Sequence, residues 1–463
     1  MMIPQTSGDW REIIAKIDWD FVDADTTYST HSFHSYPAKF IPNIPHHLIK
    51  LFSKPKELVL DPFCGSGTSC LEALFLGREA IGVDLNPLAI LISKVKTTPL
   101  NKHARLRCRE ILKEIEQKCQ ETFNNKKTIN QIEERPDIKT LGLPKIRLPN
   151  RLISTKFTQQ MIRILTIIKN GIDTINDQDI QDFFMVAFSS VIRTVIESKS
   201  RKKTEIIVNF RNKVHSMLRT MASFFMEVEP ILKTGIKIPQ IIKHDARHLE
   251  FVPTSSIDLV VTSPPYINAL DYYRVHQFNM AWLGFDWKPF KEHEIGCHSQ
   301  FINNRFRLLS KYLADMFRVF IEIKRTLKPN AFCCIVIGNS CLEYEIIESH
   351  KHFAAMGNRI GLKWQKSEFR QINVKKKYSS KPIGNINNEY IVILKKTDEK
   401  MYSNKDEGII LEFVKKRLLD FKKHILVSNG TCLRGKTLSE QRIAQNKRKY
   451  LDAIQKCHED IKI

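Results

Sequence analysis

The chain has no apolar run long enough to cross a bilayer, which argues against a membrane-spanning helix. Its opening residues, Met-Met-Ile-Pro-Gln-Thr-Ser-Gly-Asp-Trp, do not read as a signal peptide. The ten cysteines contain no C-x-x-C pair and no regular spacing, so neither a zinc ribbon nor a disulfide framework is expected. His293, Cys297 and His298 lie close in sequence but lack a second ligand pair, and no metal is assigned. Free thiols fit a reducing, cytoplasmic location. There is no internal repeat and no low-complexity tract. Acidic residues are outnumbered: 50 Asp+Glu against 73 Lys+Arg leave a formal net charge of +23. A surplus of that size points to a polyanionic partner, of which nucleic acid is the commonest.

What is present, over 463 residues with 42% hydrophobic content, is an alternation of strands and helices. The β-branched run Ile257-Asp258-Leu259-Val260-Val261 reads as a buried strand ending in Thr262-Ser263-Pro264-Pro265-Tyr266. Consecutive prolines cannot continue a sheet ladder, so the backbone must leave the sheet there. A hydroxyl, two rigid rings and an aromatic therefore sit at the carboxyl end of a strand, where open α/β sheets bind ligands.

Earlier in the chain, a strand over 57–60 ends in Asp61-Pro62-Phe63-Cys64-Gly65-Ser66-Gly67-Thr68. A helix follows with Leu71, Leu74 and Phe75 on one face. Strand, glycine turn and helix together bring a ligand against bare backbone. The turn lacks the lysine of a phosphate-cradling loop, so ATP is not the expected ligand. A second strand, 80–83, ends in Asp84-Leu85-Asn86-Pro87. An acid about 20 residues past the glycine turn is the ribose-diol acceptor of Rossmann-like sites. Asn86 suits the cap of the helix beginning at Pro87, which leaves Asp84 for a ligand. A third strand, 240–242, leads to Asp245-Ala246-Arg247. Asp61, Asp84, Asp245 and Ser263 thus end strands facing one edge of a parallel sheet and can line one crevice.

Residues 97–235 break the alternation and read as a helical insertion, with Phe184, Phe188, Val191 and Val195 on one face. Its basic run Lys199, Arg201, Lys202, Lys203 is either a solvated face or a nucleic-acid contact. Next come helical patterns over about 301–327, a turn at Lys328-Pro329-Asn330, a strand from Phe332 to Gly338 and a helix near 345–361. β-patterned stretches at 364–370 and 389–394 are joined by a loop carrying Lys375, Lys376, Lys377 and Lys381. The tail, 400–463, is basic and helical.

In these motifs the sequence resembles the S-adenosylmethionine-dependent DNA amino-methyltransferases. Asp61 to Thr68 is similar to their cofactor loop, and Thr262 to Tyr266 to their catalytic loop in the form typical of cytosine-N4 enzymes. His31 to Pro42 is similar to the segment that folds over the methionine part of the cofactor. The resemblance covers roughly 30–96 and 238–396. It implies an α/β, Rossmann-like class I methyltransferase fold: a mostly parallel sheet with an antiparallel strand near the end, plus the helical insertion and a helical C-terminal tail. The domain reading that follows is 1–96 and 236–399 as the methyltransferase, 97–235 as an insertion able to read the target, and 400–463 as a basic extension.

The resemblance further implies that Asp61 accepts the methionine amine, with Phe63, Gly65 and Gly67 shaping the pocket. Asp84 binds the ribose, Asp245 and the Ala246 backbone read the adenine amino group, and Lys39 and Phe40 lie near the methionine end. Ser263 and Pro264, with Pro265 and Tyr266, handle the target base, which flips out of the DNA for direct in-line methyl transfer. The physical case is independent: an exocyclic base amine is a poor nucleophile because its lone pair is delocalised. A hydroxyl and a carbonyl accepting its N–H groups draw the nitrogen toward tetrahedral geometry. The loop has no cysteine, which argues against cytosine-C5 chemistry. Asn268, Asp271, Tyr272, Tyr273 and Arg274 either contact the base or buttress the loop. A restriction endonuclease is the implied partner. Adenine-N6 methylation, RNA base-amine methylation and a catalytically silent nucleic-acid-binding relative are the alternatives.

Overall fold

The computed structural model describes residues 9–37, 39–124, 156–197, 203–268, 270–297, 301, 304–342, 345–372, 388–403, 405–427 and 440–460. His298, Lys199, Arg201, Lys202 and the loop with Lys375 to Lys381 lie outside the described residues. The strands in chain order are β1 (Leu58–Asp61), β2 (Glu79–Asp84), β3 (Gln240–Lys243), β4 (Ile257–Thr262), β5 (Leu327–Gly338), β6 (Ser340–Leu342), β7 (Glu345–Ile347), β8 (Leu362–Gln371) and β9 (Asn388–Lys396). Seven of them form one sheet in the order β3-β2-β1-β4-β5-β9-β8. Every pair from β3 to β5 is parallel, and β9 runs antiparallel to both β5 and β8. This is the Rossmann-like sheet the motifs predict. Its direction of winding reverses between β1 and β4, which opens a crevice at their carboxyl ends.

Parallel strands covered on both faces read as continuous apolar runs, and Leu259, Val260 and Val261 of β4 are fully buried. Two local expectations are corrected. Lys328-Pro329-Asn330 is not a turn but part of β5: Ile257 pairs with Leu327 and Leu259 with Phe332, so the additional β5 residues bulge, with Asn330 at φ 64°. The helix expected near 345–361 spans Ser349–Ile360, because Glu345–Ile347 pairs instead with Ser340–Leu342.

The insertion folds as helices Lys102–Asn124, Gln159–Asp173, Gln178–Glu197 and Lys203–Leu232. Phe184, Phe188, Val191 and Val195 are buried as their spacing predicts. They share one continuous apolar core with Leu71 and Leu74 of the Thr68–Phe75 helix and Leu88 and Ile92 of the Pro87–Thr97 helix. The tail helices Glu407–Val427 and Glu440–Asp460 likewise dock on the Arg305–Thr326 helix. Phe413 packs on Phe317, and Phe421 and Tyr450 pack on Phe306. Lys416, Lys423, Arg448 and Lys449 stay exposed on their outer faces.

Candidate active site

The glycine turn after β1 owes its course to backbone that only glycine adopts cheaply. Gly65 and Gly67 have φ of 50° and 74°, and a Cβ on Gly67 would stand 2.9 Å from Ser93 of the neighbouring helix. The turn is then tied down: Ser93 Oγ donates to the Gly65 carbonyl at 2.8 Å and Lys96 Nζ to the Ser66 carbonyl at 2.7 Å. Asp84 at the end of β2 accepts the Gly65 N–H at 2.9 Å and the Asn86 N–H at 2.8 Å. Asn86 caps the Pro87–Thr97 helix through Leu88 N–H, as expected. Burial pushes the Asp84 carboxyl up to about 6, against the pull of its backbone donors.

Asp61 at the end of β1 is held within the protein. One oxygen accepts Thr262 Oγ1 at 2.6 Å and Phe63 N–H at 3.1 Å, and the other accepts Ser69 Oγ at 2.6 Å. It therefore ties the glycine turn to Thr262, the residue before Ser263, across the β1–β4 pair. Burial raises its carboxyl to about 6, with the two hydroxyls working in the opposite direction.

Ser263 and Pro265 are half-buried, and the Pro265 carbonyl accepts Tyr312 Oη at 3.0 Å. Tyr266 Oη donates to Glu389 Oε1 at 2.7 Å, and Glu389 is paired with Arg370. At the third strand end, Asp245 is gripped by Arg247 through contacts of 2.6–3.1 Å, and Arg247 reaches on to Asp315 at 2.8 Å. Burial raises the Asp245 carboxyl, but the bonds and charge of Arg247 outweigh it and hold it below its ordinary range.

The 31–42 segment is fastened by Glu72, a fully buried carboxylate that gathers Tyr28 Oη at 2.6 Å, His31 Nε2 at 2.7 Å and His46 Nδ1 at 2.8 Å. Lys39 Nζ donates back to the His31 carbonyl at 3.1 Å.

These elements line a cleft at the carboxyl ends of the parallel strands, the place where open α/β sheets bind ligands. Of the expected site residues, Lys39, Phe40, Phe63, Gly65, Asp84, Asp245, Ala246, Ser263 and Pro265 line it. Asp61, Gly67, Pro264 and Tyr266 are not among the lining residues, though each is a chain neighbour of one that is. The lining also includes Tyr36, Tyr272, Phe290 and Glu294, which the motifs did not single out as pocket residues. Tyr36 and Tyr272 stack at 6.4 Å between centroids. Glu294 accepts the Tyr272 N–H at 2.6 Å and the Tyr273 N–H at 3.3 Å, and burial pushes its carboxyl up to about 8. Nothing local in the sequence marks Glu294, whereas Arg247 was visible two residues after Asp245. Asn268 and Asp271 are buttresses: Asn268 Nδ2 donates to the Cys341 carbonyl at 2.9 Å, and Asp271 accepts the Cys297 thiol at 3.0 Å. Among the described residues no group of His, Cys, Asp and Glu gathers as metal ligands.

A family profile of DNA methylases, designated N6_N4_Mtase, matches residues 10–95 and 257–456. A type II methyltransferase of Kocuria varians is 28% identical over 294 residues, 57% of this chain and 59% of that protein. The chain thus spans about three-fifths of that relative. A type II methyltransferase of Methanocaldococcus jannaschii is 23% identical over 415 residues, 72% of this chain and 77% of that one. A solved S-adenosylmethionine-dependent methyltransferase of Methanosarcina mazei is 10% identical, covering 76% of this chain and 98% of its own, with a TM-score of 0.30. The profile takes in both the glycine turn and the proline loop and leaves out 96–256, the span that holds the helical insertion. The chain belongs to the N6/N4 DNA methylase family.

Proposed function

We propose that the protein methylates the exocyclic N4 amine of cytosine in DNA, with S-adenosylmethionine as cofactor, as the modification enzyme of a restriction-modification pair in the cytoplasm. The observation that carries this is the meeting of Ser263 and Pro265 with Phe63, Gly65, Asp84 and Asp245 in one cavity. The walls suit the cofactor. Asp84 is aimed by two backbone donors toward a diol, Tyr36 and Tyr272 offer aromatic faces, and Ser66 Oγ is buried there with no protein partner. In this reading Gly65, Phe63, Lys39 and Phe40 enclose the methionine end, Asp84 the ribose, and Asp245 with the Ala246 backbone the adenine. Asp61 and Gly67 hold the turn in shape. When bound, the cofactor would supply an electrophilic methyl group to the target nitrogen, its sulfonium leaving as the neutral thioether, and the methylated nitrogen would then release one proton.

The remaining work falls to the chain itself. Ser263 Oγ and the Pro264 carbonyl accept the N–H groups of the flipped cytosine, withdrawing the nitrogen lone pair from the ring. The Pro264-Pro265 pair stiffens the loop, and the Tyr266 ring offers the base a stacking surface while Glu389 and Arg370 hold its hydroxyl. Holding the nitrogen and the methyl in line supplies much of the rate. The surplus of 23 positive charges serves the phosphate backbone. Residues 1–96 and 236–399 form the catalytic unit, with 97–235 and 400–463 as additions to it. Serine in the first position of the Ser263-Pro264-Pro265-Tyr266 loop, where adenine-N6 enzymes usually carry Asp or Asn, favours cytosine. Incubating the protein with labelled S-adenosylmethionine and DNA of mixed sequence, then identifying the methylated nucleoside and its flanks, tests the reading. N6-methyladenine as the product would replace it, and absence of transfer to any DNA would end it.

A further inference from the structure

The insertion reaches across the molecule to the segment that covers the cofactor cavity. His34, only 3% exposed, sets its Nε2 3.0 Å from Ser189 Oγ on the Gln178–Glu197 helix. Asn279 of the Tyr272–Leu283 helix donates to the same serine twice, to its carbonyl at 2.7 Å and its Oγ at 2.8 Å. With that donor on Oγ, the serine proton is left for the imidazole, whose burial favours the neutral, accepting form. Two cations of the insertion hold the segment from outside: Arg193 Nη1 donates to the Ser35 carbonyl at 2.6 Å, and Lys213 Nζ to the Ser32 carbonyl at 3.2 Å. Tyr36 follows directly, its ring on one side 3.5 Å from where a Gly65 Cβ would stand and on the other stacked on His276 at 4.8 Å.

We propose that the insertion is a positioning clamp for cofactor binding, with Ser189 as its buried contact and Arg193 and Lys213 as its outer ones. Between the short helical turn Ser29–Ser32 and the helix that begins at Asn43, the described residues of this segment form no helix or strand, and Pro37 and Pro42 punctuate it. A stretch so poor in internal hydrogen bonds keeps one shape only if neighbours impose it. Apparent affinity falls in proportion to the fraction of molecules in the binding-competent shape, so a slackened clamp weakens cofactor binding without touching the reacting atoms. The insertion then serves the cofactor end of the site, whatever other part of the chain reads the DNA sequence.

This rests on the S-adenosylmethionine reading above, and the test separates the two. Cofactor Kd is measured by calorimetry without DNA, alongside kcat, both KM values and DNA affinity against salt. The proteins are wild type, Ser189→Ala, the surface pair Arg193→Met with Lys213→Met, and the conservative pair Arg193→Lys with Lys213→Arg. Loss of about tenfold or more in cofactor affinity is expected for Ser189→Ala and for the Met pair, with kcat at saturating cofactor and the DNA salt slope unchanged. The conservative pair should recover most of that loss. The Met pair leaves the core intact, so it remains decisive even if Ser189→Ala fails to fold. An unchanged cofactor Kd in the folded Met pair overturns the clamp. So does a defect confined to DNA binding with a shallower salt slope, which would make Arg193 and Lys213 phosphate contacts. A wild-type protein that binds no S-adenosylmethionine overturns the function itself.

Discussion

Replacing Asp84 with Asn tests its proposed role as the ribose acceptor with two independent readouts. The carboxylate is held by Gly65 N–H at 2.9 Å and Asn86 N–H at 2.8 Å, which leaves its remaining lone pairs toward the cavity. Hydrogen bonds to a charged group are worth roughly 1.5–3 kcal/mol each, and an amide keeps only one accepting oxygen. A loss of about 2–3 kcal/mol follows, or roughly 30- to 150-fold in cofactor Kd. The second readout is pH. Burial lifts this carboxyl to about 6, so at pH 5 only about a tenth of it is ionised, against about nine-tenths at pH 7. Wild-type affinity should therefore rise about tenfold across that interval, because only the ionised form accepts both hydroxyls. Stability of the free protein runs the opposite way. A carboxyl whose folded value lies above its unfolded 3.8 costs stability as pH rises from about 4 to about 6, on the order of 3 kcal/mol by neutral pH. Asp61 also titrates near 6, but its oxygens bond within the protein and stand off the cavity, so it should not imprint on binding. Calorimetry at pH 5, 6 and 7 on both proteins decides. An Asp84→Asn protein that binds within twofold of wild type, or shows the same pH slope, refutes the assignment.

Ser263→Ala should lower methyl transfer by orders of magnitude while cofactor Kd stays near wild type; equal loss of both in single-turnover and binding assays would make the loop structural. Thr262→Val removes a 2.6 Å donor from buried Asp61 and should cost about 1–3 kcal/mol in urea unfolding, and an unchanged midpoint would contradict the locking role. DNA affinity should fall steeply with salt as lysines and arginines release counterions, and a flat response in a filter-binding titration would remove the nucleic-acid reading of the charge. The thiols of Cys64 and Cys70 are buried and pushed well above their usual range by burial, so both should resist maleimide in the native state and react on unfolding. Rapid native labelling at either, read by peptide mass, would show the glycine turn to be open.

The parts legible in the sequence are those built by neighbours along the chain. An apolar run cut off by Pro264-Pro265 had to be a strand that leaves the sheet. Two glycines between a strand and a helical pattern pointed to a tight turn, and Asn86 before Pro87 to a cap. Because parallel strands present all their carboxyl ends at one edge, these local readings already brought Asp84, Asp245 and Ser263 to one place. Only the tertiary structure decided which side chains face the cavity and which stand behind it. Asp61 is joined to Thr262, some 201 positions away, because Thr262 lies on the adjacent strand and supplies a hydroxyl. Glu294 and Tyr36 enter the pocket from stretches outside helix and strand, and Tyr272 from the first residue of a helix. The insertion, periodic enough to read as helices, proved inseparable from the catalytic core because its apolar faces are complementary only to helices placed elsewhere in the fold. Periodicity reports that a face is apolar. What it packs against is set by the shape of the whole chain.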